Sequence, residues 1–279
     1  MAPEPDISAG VVAFEGGGAV TRYVTDVGIL TVLPEELTAV VDTLQNHVAF
    51  RTERQAGGWQ TFHATVAAEG RDVRVVATQA PGRGPRAADV AFDRLQRTFE
   101  VPLVLLVGTA GGVHPDVEVG DVVIADEIVY YDARRGTADG PRWCGRTRPM
   151  AAPVRVQVDE FFRHYRGLVA APDGEVVRVF RGPVASGHPA VLDADPDLVD
   201  QIRRLEEGTV AVETGAGGVG PAFYERIDHD AALRGWLAIR GISGCSDAAG
   251  SADRHQFAAD NAALVANRLL PLLSLVEPA

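Results

Sequence analysis

The chain has little cysteine and no long apolar run. Its 279 residues include two cysteines, Cys144 and Cys245, which provide no disulfide framework, so a reducing cytoplasm is the expected compartment. No apolar stretch approaches the roughly 20 residues that a membrane-spanning helix needs. The N-terminal residues lack the basic and apolar regions of a secretory signal. We therefore expect no signal peptide and no association with a membrane.

Positive charge is also scarce. The 26 Lys and Arg residues face 38 Asp and Glu residues, which gives a net charge of −12. A phosphate backbone or an anionic lipid surface would be repelled, so we expect no nucleic-acid partner. A small anionic ligand held by local dipoles is not excluded. The hydrophobic share of 46% and the chain length fit one large α/β domain or two small ones.

Several catalytic motifs are missing. The seven histidines show no metal-ligand spacing, and the chain has no Walker loop, no Gly-x-Ser-x-Gly elbow and no Cys-x-x-Cys pair. We therefore expect no metal and no cofactor. His63 lies in an alternating stretch and Cys245 has no histidine nearby in sequence, so both are expected to be structural.

Strand and helix patterns alternate along the chain, which predicts a three-layer α/β/α domain around a central mixed sheet. Residues 1–23 are expected to be an extension with one short strand, and residues 24–279 to form the domain. Predicted strands cover residues 26–32, 59–67, 72–80, 101–108, 118–132, 175–187, 208–213 and 236–243. Predicted helices cover residues 34–48, 86–99, 195–207 and 253–273, with a further helix within 152–169.

A glycine-rich stretch follows the apolar run that ends at residue 108. Gly108, Gly111 and Gly112 would let backbone N–H groups approach a ligand closely, and Thr109 adds a hydroxyl donor. The alternative is a tight turn between two strands. In open α/β sheets ligands bind beyond the carboxyl ends of the strands, so the loops after residues 32, 108, 213 and 243 are the candidate ligand loops.

Several motifs, taken in order, resemble one family. The stretch "GTAGG" followed by "VGDVVIADE" is similar to the signature of the purine and uridine nucleoside phosphorylase superfamily. "VGILTVLPEEL", "VAVETGAGG" and "IRGISGCSD" resemble segments of its methylthioadenosine/S-adenosylhomocysteine nucleosidase branch. The resemblance covers roughly residues 24–275. It implies hydrolysis of a purine nucleoside at the N-glycosidic bond, and a homo-oligomer.

That chemistry passes through a ribosyl cation, so an acid, a water-orienting carboxylate and sugar-binding groups are useful. By resemblance Glu36 orients the water, although Glu35 is one residue away and both could simply favour a helix N-terminus. The resemblance also places substrate contacts at a set of positions: Gly108, Thr109, Ala110, Gly111, Val191, Glu213, Thr214 and Ser243.

The chain departs from the family pattern at two places. The ribose-binding glutamate position is Gly215, so Glu213 either takes over the diol contact or satisfies backbone donors below the site. The general-acid position is Gly244, and glycine cannot give a proton. Asp247 is the remaining acid candidate, but it could equally cap the last helix.

Three alternatives to a nucleosidase therefore stay open. The chain could be a nucleoside-binding sensor that lost the acid, or an N-ribosyl hydrolase whose leaving group needs no protonation. A nucleoside phosphorylase is the third alternative, for which Arg83 and Arg86 could supply positive charge to phosphate.

Overall fold

A computed structural model describes residues 9–12, 20–137, 140–187, 198–230, 232–245 and 252–273. The strands in these ranges are β1 (Ala9–Val12), β2 (Val20–Val24), β3 (Val27–Thr31), β4 (Val48–Arg54), β5 (Gln60–Val66), β6 (Val73–Gln79), β7 (Phe99–Glu100), β8 (Leu103–Gly112), β9 (Val122–Thr137), β10 (Gly140–Pro149), β11 (Leu168–Ala170), β12 (Val176–Ser186), β13 (Ala211–Glu213) and β14 (Gly235–Cys245). The α-helices are α1 (Pro34–Leu44), α2 (Pro85–Thr98), α3 (Ala152–Tyr165), α4 (Leu198–Leu205), α5 (Ala216–Ile227) and α6 (Ala252–Leu269).

The main sheet is mixed, as the sequence predicts. Its strands follow the order β10-β9-β12-β13-β8-β3-β6-β5-β4, with β11 paired to β12 and β14 paired to both β8 and β9. Strands β3, β6, β8 and β14 run parallel, whereas β13 is antiparallel to β8. Because β14 joins β8 to β9, the strands β9, β12, β13, β8 and β14 close into a ring within the sheet.

Two apolar layers cover the sheet. One layer packs α1, α3 and α6 against residues such as Ile29 and Val75, and the other packs α2 and α5 against residues such as Leu30 and Val76. Neighbouring residues of a strand point to opposite faces, so β3 and β6 need apolar side chains at successive positions. This explains their nearly continuous hydrophobic runs and confirms the three-layer prediction. None of the helices that the structure describes is long and apolar enough to cross a bilayer.

The glycine-rich stretch is not the turn that the sequence suggested. Gly108–Gly112 stays extended and forms the second half of β8. Val212 of β13 pairs with Gly111 on one side, and Gly244 of β14 pairs with Gly111 on the other. That alternative is not what the structure has, because glycine also suits a strand whose face must remain open to a close neighbour.

Two other segments differ from the sequence predictions. Helix α1 ends at Leu44, not at residue 48, because residues 48–54 form β4 and pair with β5 at the edge of the sheet. The N-terminal region contains two described strands where one was expected, and β2 lies parallel to β7. The division of the chain at residues 23 and 24 stays a prediction.

His63 lies in a buried polar cluster in the middle of β5. This histidine makes the stability of the fold sensitive to acid. The residue is 7% exposed, with Nε2 3.0 Å from Thr61 Oγ1 and 3.5 Å from Glu53 Oε2. Burial lowers the pKa of His63 to about 4, an effect that nearby Arg51 reinforces and Glu53 opposes. The folded protein therefore keeps this ring neutral at pH values where the unfolded chain binds a proton.

We expect the free energy of unfolding to fall as pH is lowered from about 6.5, the unfolded histidine value, toward 4, the folded value. Urea denaturation at stepwise pH would measure this, and His63→Gln should flatten the fall. His229, an exposed histidine, provides the matched control His229→Gln, which should leave the pH profile of the wild type unchanged. A wild-type profile that the His63 substitution does not alter would contradict the assignment.

Candidate active site

Glu36 connects the start of α1 to the middle of β8. Its Oε2 accepts hydrogen bonds from the backbone N–H groups of Val32 and Leu33, each at 2.9 Å. Leu33 is the N-cap residue of α1, so this contact is one half of a capping box. The Oε1 atom accepts from the Thr109 backbone N–H at 2.8 Å and from the Thr109 hydroxyl at 3.1 Å. The residue is only 3% exposed.

The neighbouring glutamate has a different environment. Glu35 is half-buried, and no hydrogen bond or ion pair of the described residues involves it. Both glutamates lie in the first turn of α1, where acidic side chains are favourable. Only Glu36 also reaches β8. The geometry therefore favours Glu36 over Glu35 as the candidate for ligand chemistry, and its catalytic role stays a prediction.

Gly108 lets two charged side chains approach the same point of β8. A Cβ atom added at this position would lie 2.4 Å from Glu36 Oε1 and 2.6 Å from Arg240 Nη1. Arg240 is the residue of β14 that pairs with Gly108, so its guanidinium reaches across the strand. Further along β8, a Cβ atom at Gly111 would meet nothing closer than the Val212 carbonyl oxygen at 4.0 Å. The strand thus offers open backbone surface beside the charged groups.

Arg240 and Glu213 form a buried ion pair. The Arg240 Nη2 group donates to Glu213 Oε2, and each side chain is 2% exposed. The Glu213 carboxylate also accepts the backbone N–H groups of Gly215, at 2.8 Å, and Ala216, at 2.9 and 3.1 Å. Because β13 is antiparallel to β8, its carboxyl end lies back toward Gly108 and within reach of Arg240.

Glu213 therefore satisfies the first free N–H groups of α5, which is one of the two roles that the sequence left open. The hydroxyl of Ser186 accepts the next one, from Gly217 at 2.7 Å. Both oxygens of Glu213 are occupied by these donors and by Arg240. A contact between Glu213 and a sugar diol stays a prediction.

The other predicted substrate contacts fall into two groups. Ser243 donates from its hydroxyl to the Ala110 carbonyl at 3.3 Å, which ties β14 to β8 beside the glycines. Thr214 is half-buried between Glu213 and the start of α5. Val191 and Asp247, together with His188 and Ala190, lie outside the described residues. In the ranges that the structure describes, no three His, Cys, Asp or Glu side chains are grouped to hold a metal ion.

Sequence reasoning did not single out Arg240 or Ser186. Arginine is almost never fully buried unless it is paired, so an arginine inside the apolar stretch "LAIRGIS" signals a buried carboxylate partner. That signal predicts the existence of a partner but not that Glu213, 27 residues away, supplies it. Ser186 carries no comparable signal, because a serine at a strand end is common.

A methyl group at Gly108 would displace the groups that meet there. We expect Gly108→Ala to lower turnover of any substrate by about 10²-fold or more, because small misplacements of reacting groups are that costly. Gly208→Ala is the matched control: there a Cβ atom meets nothing closer than Glu206 Oε1 at 3.8 Å. Steady-state assays on the two variants, with circular dichroism to confirm folding, test the expectation. Equal activity of both variants would show that Glu36 and Arg240 tolerate displacement.

The mixed sheet with its closed ring of strands and the helices on both faces define an α/β fold, and buried carboxylates lie beside the glycines of β8. The sequence model of the phosphorylase superfamily matches residues 26–249, and the chain belongs to that superfamily. A methylthioadenosine/S-adenosylhomocysteine nucleosidase of Haemophilus influenzae (strain PittEE) is 28% identical over 71% of this chain and 79% of its own length. One from Anoxybacillus flavithermus is 28% identical over 72% and 79%, respectively.

Solved structures share the fold. Futalosine hydrolase of Helicobacter pylori superposes with a TM-score of 0.68 at 16% identity, over 88% of this chain and 97% of that one. The methylthioadenosine/S-adenosylhomocysteine nucleosidase of Neisseria meningitidis, in complex with methylthio-immucillin-A, gives 0.66 at 21% identity, over 88% and 99%. These likenesses confirm the fold predicted from the sequence, and the match of the family model confirms the predicted superfamily.

Proposed function

We propose that the protein is a nucleosidase that hydrolyses the N-glycosidic bond of purine nucleosides. The observation that carries the proposal is the buried Glu36 carboxylate, fixed by Thr109 beside the side-chain-free surface of Gly108. The sequence relatives support it, since the two described above are named as nucleosidases. No step in this reaction needs a cofactor.

In the proposed reaction a water molecule attacks the anomeric carbon while the bond to the base breaks. Glu36 orients this water and accepts its proton. The four donors to Glu36 fill its lone pairs, so one donor must turn away when the water binds. The Thr109 hydroxyl, at 3.1 Å, is the longest of the four contacts and can rotate about its C–O bond, whereas the three backbone N–H groups cannot.

The proposed roles of the other site residues follow from where they lie relative to Gly108. Backbone groups of the Gly108–Gly111 stretch line the ribosyl group, with Ala110 held by Ser243. Arg240, kept in place by Glu213, supplies positive charge next to Gly108. Gly215 and Gly244 provide no side chain where the family pattern has carboxylates, and Asp247 is the candidate acid that remains.

Product analysis tests hydrolysis against phosphorolysis and against binding alone. Adenosine, methylthioadenosine and S-adenosylhomocysteine would each be incubated with the full chain, with and without phosphate, and free base measured by chromatography. The proposal expects free base and free sugar at a rate independent of phosphate. Sugar 1-phosphate would instead indicate a phosphorylase, for which the exposed Arg83 and Arg86 are candidates. Calorimetric binding without any base release would indicate a sensor.

We further propose that the protein works as a homo-oligomer in the cytoplasm. The chain has only two cysteines, which agrees with a reducing compartment such as the cytoplasm. The family resemblance supports the homo-oligomer. Light scattering coupled to size-exclusion chromatography would test the assembly, and a monomer mass would contradict it.

A further inference from the structure

Neither of the two glutamates at the candidate site is arranged to deliver a proton. The described residues include four buried carboxylates: Asp26, Glu36, Asp121 and Glu213. Asp26 and Asp121 lie at the amino ends of β3 and β9, where the carboxylate of each is bound by an arginine. Glu36 and Glu213 receive donors on both of their oxygens, which leaves no oxygen to carry a hydrogen toward a ligand.

Among the described residues Glu36 forms no direct ion pair, although the Arg240 guanidinium comes close to it beside Gly108. Its donors are three backbone N–H groups and one hydroxyl, all neutral. The nearby guanidinium of Arg240 is already paired with Glu213. Two carboxylates and one guanidinium thus leave one net negative charge, in a place where Glu36 is 3% exposed. A buried unpaired charge is costly, and a cationic ligand would offset that cost.

The lack of a proton-donating glutamate and the net negative charge of the site together favour a positively charged leaving group. A neutral purine must gain a proton as its bond to the sugar breaks, whereas a base that already bears a positive charge leaves as a neutral molecule. The electron pair of the C1′–N bond then moves to the ring nitrogen and cancels its charge. Water adds its oxygen to C1′ and loses a proton, which passes to the Glu36 oxygen that the Thr109 hydroxyl has released and then to solvent.

We propose that the site cleaves N-glycosides whose base carries a fixed positive charge, namely N7-alkylated purine ribosides and pyridinium ribosides, in preference to neutral nucleosides. This inference rests on the proposed function and names its substrate class. Cleavage of such a substrate needs no general acid. The glycine at position 244, which pairs with Gly111, therefore does not impair the reaction.

The test compares guanosine with 7-methylguanosine, which differ by one methyl group and one charge. Assays in mildly acidic buffer would give kcat/KM for both, each divided by its uncatalysed rate. We expect a preference of at least about 10²-fold for the methylated nucleoside, the usual contribution of a general acid. Gly244→Asp introduces a carboxyl group and should reduce that preference by raising cleavage of guanosine.

A second measurement keeps the proposal testable if the Gly244 variant does not fold. Nicotinamide riboside carries a permanent charge, so its kcat/KM should not fall on the alkaline side of the pH profile. A fall would reveal a required acid and overturn the proposal. Equal corrected rates for guanosine and 7-methylguanosine would overturn it as well, would point to Asp247, and would leave the proposed function standing. Cleavage of neither class would overturn the proposed function itself.

Discussion

Replacing Glu36 by glutamine is expected to lower kcat for base release by about 10²–10⁴-fold with little change in KM, because the charge that orients the water is lost. The amide has the size of the carboxylate, so the shape of the site is retained. Free base released per enzyme at saturating substrate measures the effect. A loss smaller than about tenfold would remove Glu36 from the proposed mechanism.

The same substitution carries a structural cost that needs its own measurement. Glutamine has only one side-chain oxygen, so its NH₂ group replaces one of the two accepting oxygens of Glu36. That NH₂ group then faces N–H donors, either those of Val32 and Leu33 or that of Thr109, and cannot accept from them. Leaving buried donors unpaired costs about 1–3 kcal/mol of unfolding free energy. Glu35→Gln is the matched control on the same helix, because Glu35 has no such contacts and should retain both activity and stability. Equal activity losses in both variants would mean that the charge of the helix start matters, not the geometry at Glu36.

Replacing Arg240 by methionine is expected to lower the free energy of unfolding by about 3–5 kcal/mol, because it leaves the buried Glu213 carboxylate without its cation. Methionine fills much of the volume of the arginine stem, so the loss reflects charge more than a cavity. Urea denaturation at neutral pH measures the change. An effect below about 1 kcal/mol, the usual value of an exposed pair, would contradict the role given to this ion pair.

A double variant separates the charge from the packing. Arg240→Met combined with Glu213→Gln removes both charges, while the glutamine oxygen can still accept the N–H of Gly215 or Ala216. We expect it to be more stable than Arg240→Met alone. Arg97→Met is the surface control: Arg97 pairs with Asp93 at a side-chain exposure of 73%, and its loss should cost about 0.5 kcal/mol or less.

Much of the fold follows from local patterns. The continuous apolar runs of β3 and β8 predict strands covered on both faces, and Pro34 with two glutamates predicts the start of α1. The edge strand β4 escaped prediction because its sequence "VAFRTER" is mostly polar and mostly exposed or half-buried. Its place in the sheet depends on pairing with β5, which is a tertiary effect that no local pattern contains.

The site was predictable only in part. Glu36 was singled out by the family resemblance of "VGILTVLPEEL", because two glutamates at a helix start do not by themselves indicate catalysis. The glycines could be found because they directly follow an apolar run. The Arg240–Glu213 pair could not be assigned, since its two members meet only because β13 runs antiparallel to β8 while β14 runs parallel. For the same glycines a turn stayed open as an alternative, because glycine alone does not distinguish a turn from an open strand face.

The proposed mechanism requires that a nucleoside bind over Gly108–Gly111 with its anomeric carbon next to the side chain of residue 36. The most direct measurement is a crystal structure of the Glu36→Gln variant soaked with methylthioadenosine, in which cleavage is slowed. We expect C1′ within about 3.5 Å of a water that contacts residue 36, the usual distance before attack. A nucleoside bound elsewhere on the protein, with residue 36 out of contact with that water, would contradict it.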